Sequence, residues 1–450
     1  MKTQSTSDPR PNAGARARHD GLYLMVLGCA VFIFGGAALE HAAPVTTQDF
    51  RVLYFSARTL LEHRDPYNEK DLDYTYQVDG GETANDTPKL RQTERQYIYF
   101  PTAFVVTIPF AMLSWGASQV VWSLFTAVAM VVASLLIWDL GAKYAPILSG
   151  ALIGLSFVNS ILFLPIGNPC GIVVGLSIVA IWCFLKERFV WAGVFCLAVS
   201  LVLKPHVAGL FWVYLLFVGG SNRKRALQVL ALTIAVCLPY LWWVSHVAPH
   251  WVGEMHSILS SYSARGGIND PGPSSAAGHG IGMIVSLQPV FSYFWDNSGF
   301  YNPASYLVFL SLFCAWAWIT LHARFSTRMA WLAVAPIAAM SLLPVYHRLG
   351  DAKLLLLTVP ACAMLWSEGG RLGRLAAAVN VLAFFLTGEP QWAIFLRVLS
   401  LVDLHGWLPA GLKTALQMLP VPLCLLLVSL FYLRVFMICR AEPSPELSAE

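Results

Sequence analysis

Apolar runs of 14 to 21 residues recur from Leu22 to Cys439, and no polar block between them is long enough to fold as a separate domain. Backbone can enter hydrocarbon only if every N–H and C=O is paired internally, which leaves helices and closed barrels. Runs of this length suit helices. The expected fold is therefore an all-α polytopic membrane protein. Its charged fraction, 12% of 450 residues, is about half that of a soluble protein, which excludes a soluble enzyme. The apolar runs predict crossings at 22–39, 118–138, 147–166, 170–186, 189–203, 206–219, 225–245, 303–321, 329–345, 352–366, 374–388 and 421–439, about twelve in all.

Basic residues decide the sidedness, because Lys and Arg in short loops stay on the cytoplasmic side. The basic loops are the N-terminal segment, Lys186 to Arg188, Arg223 to Arg225, Arg324 with Arg328, Arg371 with Arg374, and Arg434 to Arg440. All fall on one side only if 102–113, broken by Pro109, is interfacial or re-entrant and 391–420 stays outside. Residues 1–21 and 440–450 are then cytoplasmic tails around a transmembrane domain, 22–439. The first run follows Lys2, Arg10, Arg16 and Arg18 and precedes Glu40-His41-Ala42-Ala43-Pro44, a poor cleavage site, so an uncleaved signal anchor is expected.

This parity places five polar segments on the extracytoplasmic face: residues 41–100, Gly167-Asn168-Pro169, Lys204-Pro205-His206, residues 246–302, and Tyr346 to Lys353. Of the 54 charged residues, 17 lie in 41–100 alone. Ionisable groups at membrane depth are costly and point to function. A single outer pocket, housed by loops 40–101 and 246–302, is the economical expectation. From Asp49, the spacing of Phe50, Leu53, Tyr54, Ala57, Leu60 and Leu61 predicts an amphipathic helix along the membrane surface. Trp251 to Tyr262 reads as helical. Gly80 to Lys89 and Arg265 to Gly280 read as flexible by composition.

Each cluster admits two readings. Asp49 suits a general base whose basicity is raised by partial desolvation, or it closes a capping box with Thr46. Lys204 suits a phosphate at headgroup level, or it is a snorkelling lysine beside the Pro205 turn. His347, Arg348 and Lys353 can present positive charge to a phosphate, with His347 as proton donor; the alternative is an Arg348 to Asp351 ion pair. Tyr99 and Trp251 belong to aromatic clusters that either pack on sugar faces or form an interfacial belt. The nine cysteines lie in or beside apolar runs, which argues against a disulfide framework. His246, His250, His256 and His279 lack a metal-ligand spacing, and no Walker, Rossmann or GxSxG pattern occurs.

The order of these pieces resembles bacterial glycosyltransferase family 87, of the GT-C superfamily. The resemblance rests on Asp49-Phe50 opening a helix, Arg64-Asp65-Pro66-Tyr67, Tyr99-Phe100-Pro101, Lys204-Pro205 and a late His347, and runs from Gly21 to about Trp366. It implies inverting transfer of a sugar, mannose or another hexose, from a polyprenyl phosphate to a hydroxyl of a lipid-linked or cell-envelope glycan. The enzyme would lie in the bacterial cytoplasmic membrane with its active site outside. It further implies Asp49 as base, His347 as catalytic and Lys204 as the family's mid-chain lysine. Around them, His206, Arg348, Lys353 and Arg58 are expected at the donor phosphate, and Tyr99, Asn168, Trp251 and His279 at sugar or acceptor. No cofactor and no nucleic acid is expected; the partners are bilayer, donor and acceptor. One departure is Ala276-Ala277-Gly278-His279-Gly280 in the long central loop, where the family has an Asn- and Ser-containing motif. The competing readings are a polyprenyl-lipid flippase, which needs polar residues through both leaflets, and a non-catalytic scaffold.

Overall fold

The computed structural model describes residues 12–42, 47–80, 96–275, 284–324, 326–403 and 408–441. Over these residues the chain is helical, with no strand and one isolated antiparallel bridge, Ile284 to Arg348. Six helices are long and apolar enough to cross a membrane: Gly14–Ala42, Trp115–Gly141, Pro146–Ile166, Gly220–Val247, Ser298–His322 and Pro420–Arg440. Gly370–Leu386 and Glu389–Val402, bent by 70° at their junction, make a seventh if the pair is one span.

By length and apolarity, six or seven of the expected dozen qualify as spans. The other expected crossings do fold as helix, but as short pieces: Cys170–Leu185, Val190–Leu203, Pro205–Val218 and Thr327–Met340, and the 3₁₀ stretch Asp351–Thr358 that runs into Val359–Glu368. For two of them, Cys170–Leu185 and Thr327–Met340, the reason lies in what surrounds them. Every residue from Met329 to Met340 is buried, as is nearly all of Cys170–Leu185. Helices enclosed by protein need not match the hydrocarbon thickness, because protein rather than lipid covers them. The long helices instead expose Tyr23, Phe34, Val120, Leu124, Trp242 and Leu307, an apolar exterior suited to lipid.

Residues 102–113 form a short turn and helix, Pro101–Ala103 then Phe104–Ala111, about half the length of a span. Thr102 Oγ1 donates to the Val202 carbonyl at 2.8 Å, tying this piece to the neighbouring bundle.

The Asp49 segment forms the helix Gln48–Leu61, as its periodicity predicts, but ten of its 14 residues are buried. It is a wedge inside the fold and not a one-sided surface strip. Phe50 stacks on Trp122 at 4.3 Å, and Tyr54 Oη donates to the Leu113 carbonyl at 2.8 Å. Arg51, Ser56 and Thr59 on its polar side are also enclosed; Thr59 Oγ1, for example, bonds Thr75 Oγ1 at 3.0 Å.

The first long helix approaches Pro146–Ile166 at glycines. A Cβ on Gly28 would lie 2.4 Å from the Gly154 carbonyl oxygen, and one on Gly154 2.6 Å from the Leu24 carbonyl oxygen. Such backbone-to-backbone contact is open only to small residues. It fixes the helix that leads into the Asn168 turn.

Candidate active site

The turn Gly167-Asn168-Pro169 connects Pro146–Ile166 to Cys170–Leu185. Gly167 has φ of 69°, and a Cβ there would sit 2.9 Å from Phe50 Cβ and 3.0 Å from Thr47 Cβ. Glycine therefore lets the turn press against the start of Gln48–Leu61. Thr47 N–H donates to the Pro165 carbonyl at 2.6 Å, locking the two segments side by side. Asp49, the second residue of its helix, then faces Asn168 and accepts a short hydrogen bond from Nδ2.

The expected capping box pairs Asp49 with Thr46, which lies outside the described residues. Thr47 precedes the helix in a left-handed conformation and makes no side-chain cap bond; its hydroxyl accepts from Gln119 Nε2 at 2.9 Å. The Asp49 carboxylate is turned to Asn168.

Asn168 continues the chain of contacts. Its Oδ1 accepts from the Cys170 N–H at 2.8 Å and from Lys204 Nζ at 3.3 Å. Lys204, at the break between Val190–Leu203 and Pro205–Val218, also donates to Asp351 Oδ1 at 3.2 Å. Asp351 is the hub of the cluster. The Cys170 thiol meets its Oδ1 at 2.8 Å, and His347 Nδ1 and the Arg348 N–H meet its Oδ2 at 3.2 and 3.0 Å. The Arg348 guanidinium turns elsewhere, to the Tyr346 hydroxyl, the Ile268 carbonyl at 3.0 Å and Asn269 Oδ1 at 3.3 Å.

These groups line a cavity of about 600 Å³ to which all five polar segments contribute. Asp49 and Tyr99 come from the acidic loop, Asn168 from its turn, Lys204 and His206 from theirs, Tyr262 and Asn269 from the long loop, and Arg348 and Asp351 from the late turn. Leu162, Phe163, Leu203, Met255 and Leu259 supply an apolar wall. The volume falls within the usual range of small-molecule sites.

Other candidates lie elsewhere. His347 is fully buried behind Asp351, with its ring 4.9 Å from that of His206, and does not line the cavity. Lys353 is buried against Glu389 Oε2 at 3.3 Å and the Leu349 and Thr387 carbonyls at 3.1 and 3.0 Å. Arg58 pairs with Asp79 at 2.7 Å, off the cavity. Trp251 packs its ring on Phe100 at 5.4 Å, beside the lining and not in it. His279 lies outside the described residues, as does most of Gly80 to Lys89. The described part of the glycine-rich stretch is tied down: Asp270 accepts from the Gly266 and Gly272 N–H groups, each at 2.8 Å.

Sequence reasoning underrated Asp351, offered only as an ion partner for Arg348, although its spacing of four from His347 was available as a signal. Nothing in the sequence marked Cys170, Tyr262 or Asn269.

The electrostatics separate the two carboxylates. Burial raises the Asp49 carboxyl above the usual aspartate range, opposed by the Asn168 hydrogen bond and by Lys204 and Arg348, and reinforced by Asp351. Burial also works against the Asp351 anion, but Lys204 and His347 outweigh it and hold its carboxyl well below the usual range. Lys204 stays protonated because Asp351 overcomes the effect of burial. One carboxylate is thus held as an anion and the other is raised towards protonation, a separation of the kind that acid–base chemistry uses. Among the described residues, no three His, Cys, Asp or Glu side chains stand together as a metal site.

Residues 97–280 match the model of glycosyltransferase family 87. The match indicates a glycosyltransferase, on a multi-helix membrane scaffold. No curated protein and no solved structure matches the chain. The stretch matched to family 87 contains Tyr99, Asn168, Lys204, His206, Trp251 and His279, whereas Asp49, Arg58, His347, Arg348 and Lys353 fall outside it.

Proposed function

We propose that the chain is an inverting glycosyltransferase that moves mannose or another hexose from a polyprenyl-phosphate donor to a hydroxyl of a lipid-linked or cell-envelope glycan. It acts at the extracytoplasmic face of the bacterial cytoplasmic membrane. The observation that carries this reading is one cavity lined by the Asp49 carboxylate and by two cations, Lys204 and Arg348.

Sugar transfer with inversion needs both. The acceptor oxygen attacks the anomeric carbon while the bond from that carbon to the phosphate oxygen breaks. Asp49 takes the acceptor's proton, and its raised basicity suits that role. The departing phosphate gains negative charge, which preorganised cations stabilise most effectively in an enclosed site. Two of the three Lys204 N–H groups go to Asp351 and Asn168 among the described residues, leaving one for a phosphate oxygen. The apolar wall suits the first isoprene units of the donor.

The test is turnover by purified protein supplied with polyprenyl-phosphate hexoses and an envelope lipid extract, with released polyprenyl phosphate read by mass spectrometry. Asp49→Asn should lower release by at least about a hundredfold, the low end of general-base contributions. Turnover like that of the unaltered protein in this variant would sink the base assignment.

A further inference from the structure

We propose that Asn168 is a positioning residue that ties the Asp49 carboxylate to the Lys204–Asp351 ion pair, fixing where the carboxylate points and keeping it anionic. The sequence placed Asn168 among sugar or acceptor contacts. The geometry gives it another task.

The argument rests on which atom of the amide faces which neighbour. Cys170 offers a backbone N–H, which can only donate, so the Asn168 oxygen must face it, and it does so at 2.8 Å. Lys204 Nζ, also only a donor, lies 3.3 Å from the same oxygen. Two donors on one side leave the amide nitrogen for the other, where the Asp49 carboxylate accepts from it. A flipped amide would set donor against donor and oxygen against carboxylate.

The turn that carries the amide cannot easily swing away. Trp122 Nε1 donates to the Gly167 carbonyl at 2.9 Å, Gly167 is pressed on Phe50 and Thr47, and Pro169 fixes its own φ. The result is a continuous path from Asp49 through Asn168 and Lys204 to Asp351 and His347. Five titratable or charged groups bear on Asp49: Lys204 and Arg348, which favour its anion, Asp351, which opposes it, and the phenols of Tyr99 and Tyr262. Among the neutral side chains, Asn168 supplies the donor that holds the anion.

The consequence for turnover rests on Asp49 being the base; the titration itself does not. The experiment is pH-difference infrared spectroscopy on the purified full-length protein in lipid nanodiscs, with the Asp49 carboxyl band identified by its loss in Asp49→Asn. Asn168→Ser keeps an oxygen for the Cys170 N–H, since a Ser hydroxyl makes the same local turn bond, but it no longer reaches Asp49 with a donor. The Asp49 titration should move to higher pH by about one unit. Asn168→Asp, nearly the same shape with a second carboxylate in place of the donor, should move one titration of the resulting pair higher still. An unmoved or lowered titration in Asn168→Ser would overturn the proposal. Loss of the base reading would show separately, as turnover surviving in Asp49→Asn with the infrared shift intact.

Discussion

Lys204 and Asp351 are 11% and 5% exposed, a nearly enclosed pair, and breaking such a pair hurts because the remaining charge stays behind without its counter-ion. Asp351→Asn should lower stability by about 3–5 kcal/mol, seen as a fall in unfolding temperature in detergent. Adding Lys204→Met should recover part of that loss; no recovery would mean that Asp351 stabilises through its other partners. Substitutions of the charges around Asp49 shift the pH dependence of turnover in opposite senses. A base works deprotonated, so kcat/KM falls as pH drops through the Asp49 pKa, and burial places that limb above the ordinary aspartate range. Arg348→Gln removes a favourable positive charge and should push the limb up by about one unit, whereas Asp351→Asn removes a repulsive negative charge and should bring it down. Asp49, Asn168 and Lys204 were legible in the sequence because each is a polar residue at a break between apolar runs. The place of His347 was not, since facing the cavity or lying behind Asp351 depends on packing that no local pattern encodes.

Helix elements were readable from the apolar runs, and their lengths were not, for one physical reason. Hydropathy reports that a segment avoids water, and Thr327–Met340, enclosed by protein, avoids it as fully as a lipid-facing span does. The wedge Gln48–Leu61 is a related case: its period of 3.6 was legible, but the periodicity cannot say that neighbours cover the polar face too. Packing between elements depends on smaller residues. The first helix and Pro146–Ile166 touch backbone to backbone at Gly28 and Gly154, and the second of these helices ends in the turn that holds Asn168. Gly154→Val would place its side chain against the Leu24 carbonyl, with no flexible side-chain end to yield. Overpacking typically costs about 1–3 kcal/mol, so the unfolding temperature should fall, and displacement of the Asn168 turn should lower turnover further than the stability loss explains. Gly116→Ala, at a glycine with open space around its Cβ position, is the control and should leave both unchanged.

At the scale of the whole molecule, the cavity gathers residues 49, 99, 168, 204, 262 and 348, positions spread over some three hundred residues of chain. In a bundle that crosses a membrane, segments can meet this way only if the crossings between them bring each back to the same end. The distribution of Lys and Arg predicts the same partition: with each intervening helix taken as a crossing, the basic loops at 186–188 and 223–225 fall opposite the cavity segments. Two unrelated properties, side-chain convergence and loop charge, therefore predict one topology. Alkaline phosphatase, which folds only outside the cytoplasm, reports it. A fusion after Arg188 should be inactive and one after Ser263, in the loop that reaches the cavity, should be active. The reverse order, active after Arg188 and inactive after Ser263, would place the cavity on the cytoplasmic side, where nucleotide-linked donors are at hand, and would remove the reason for a polyprenyl-phosphate sugar. The cavity chemistry of Asp49, Asn168 and Lys204 would survive that outcome, but the donor would have to change.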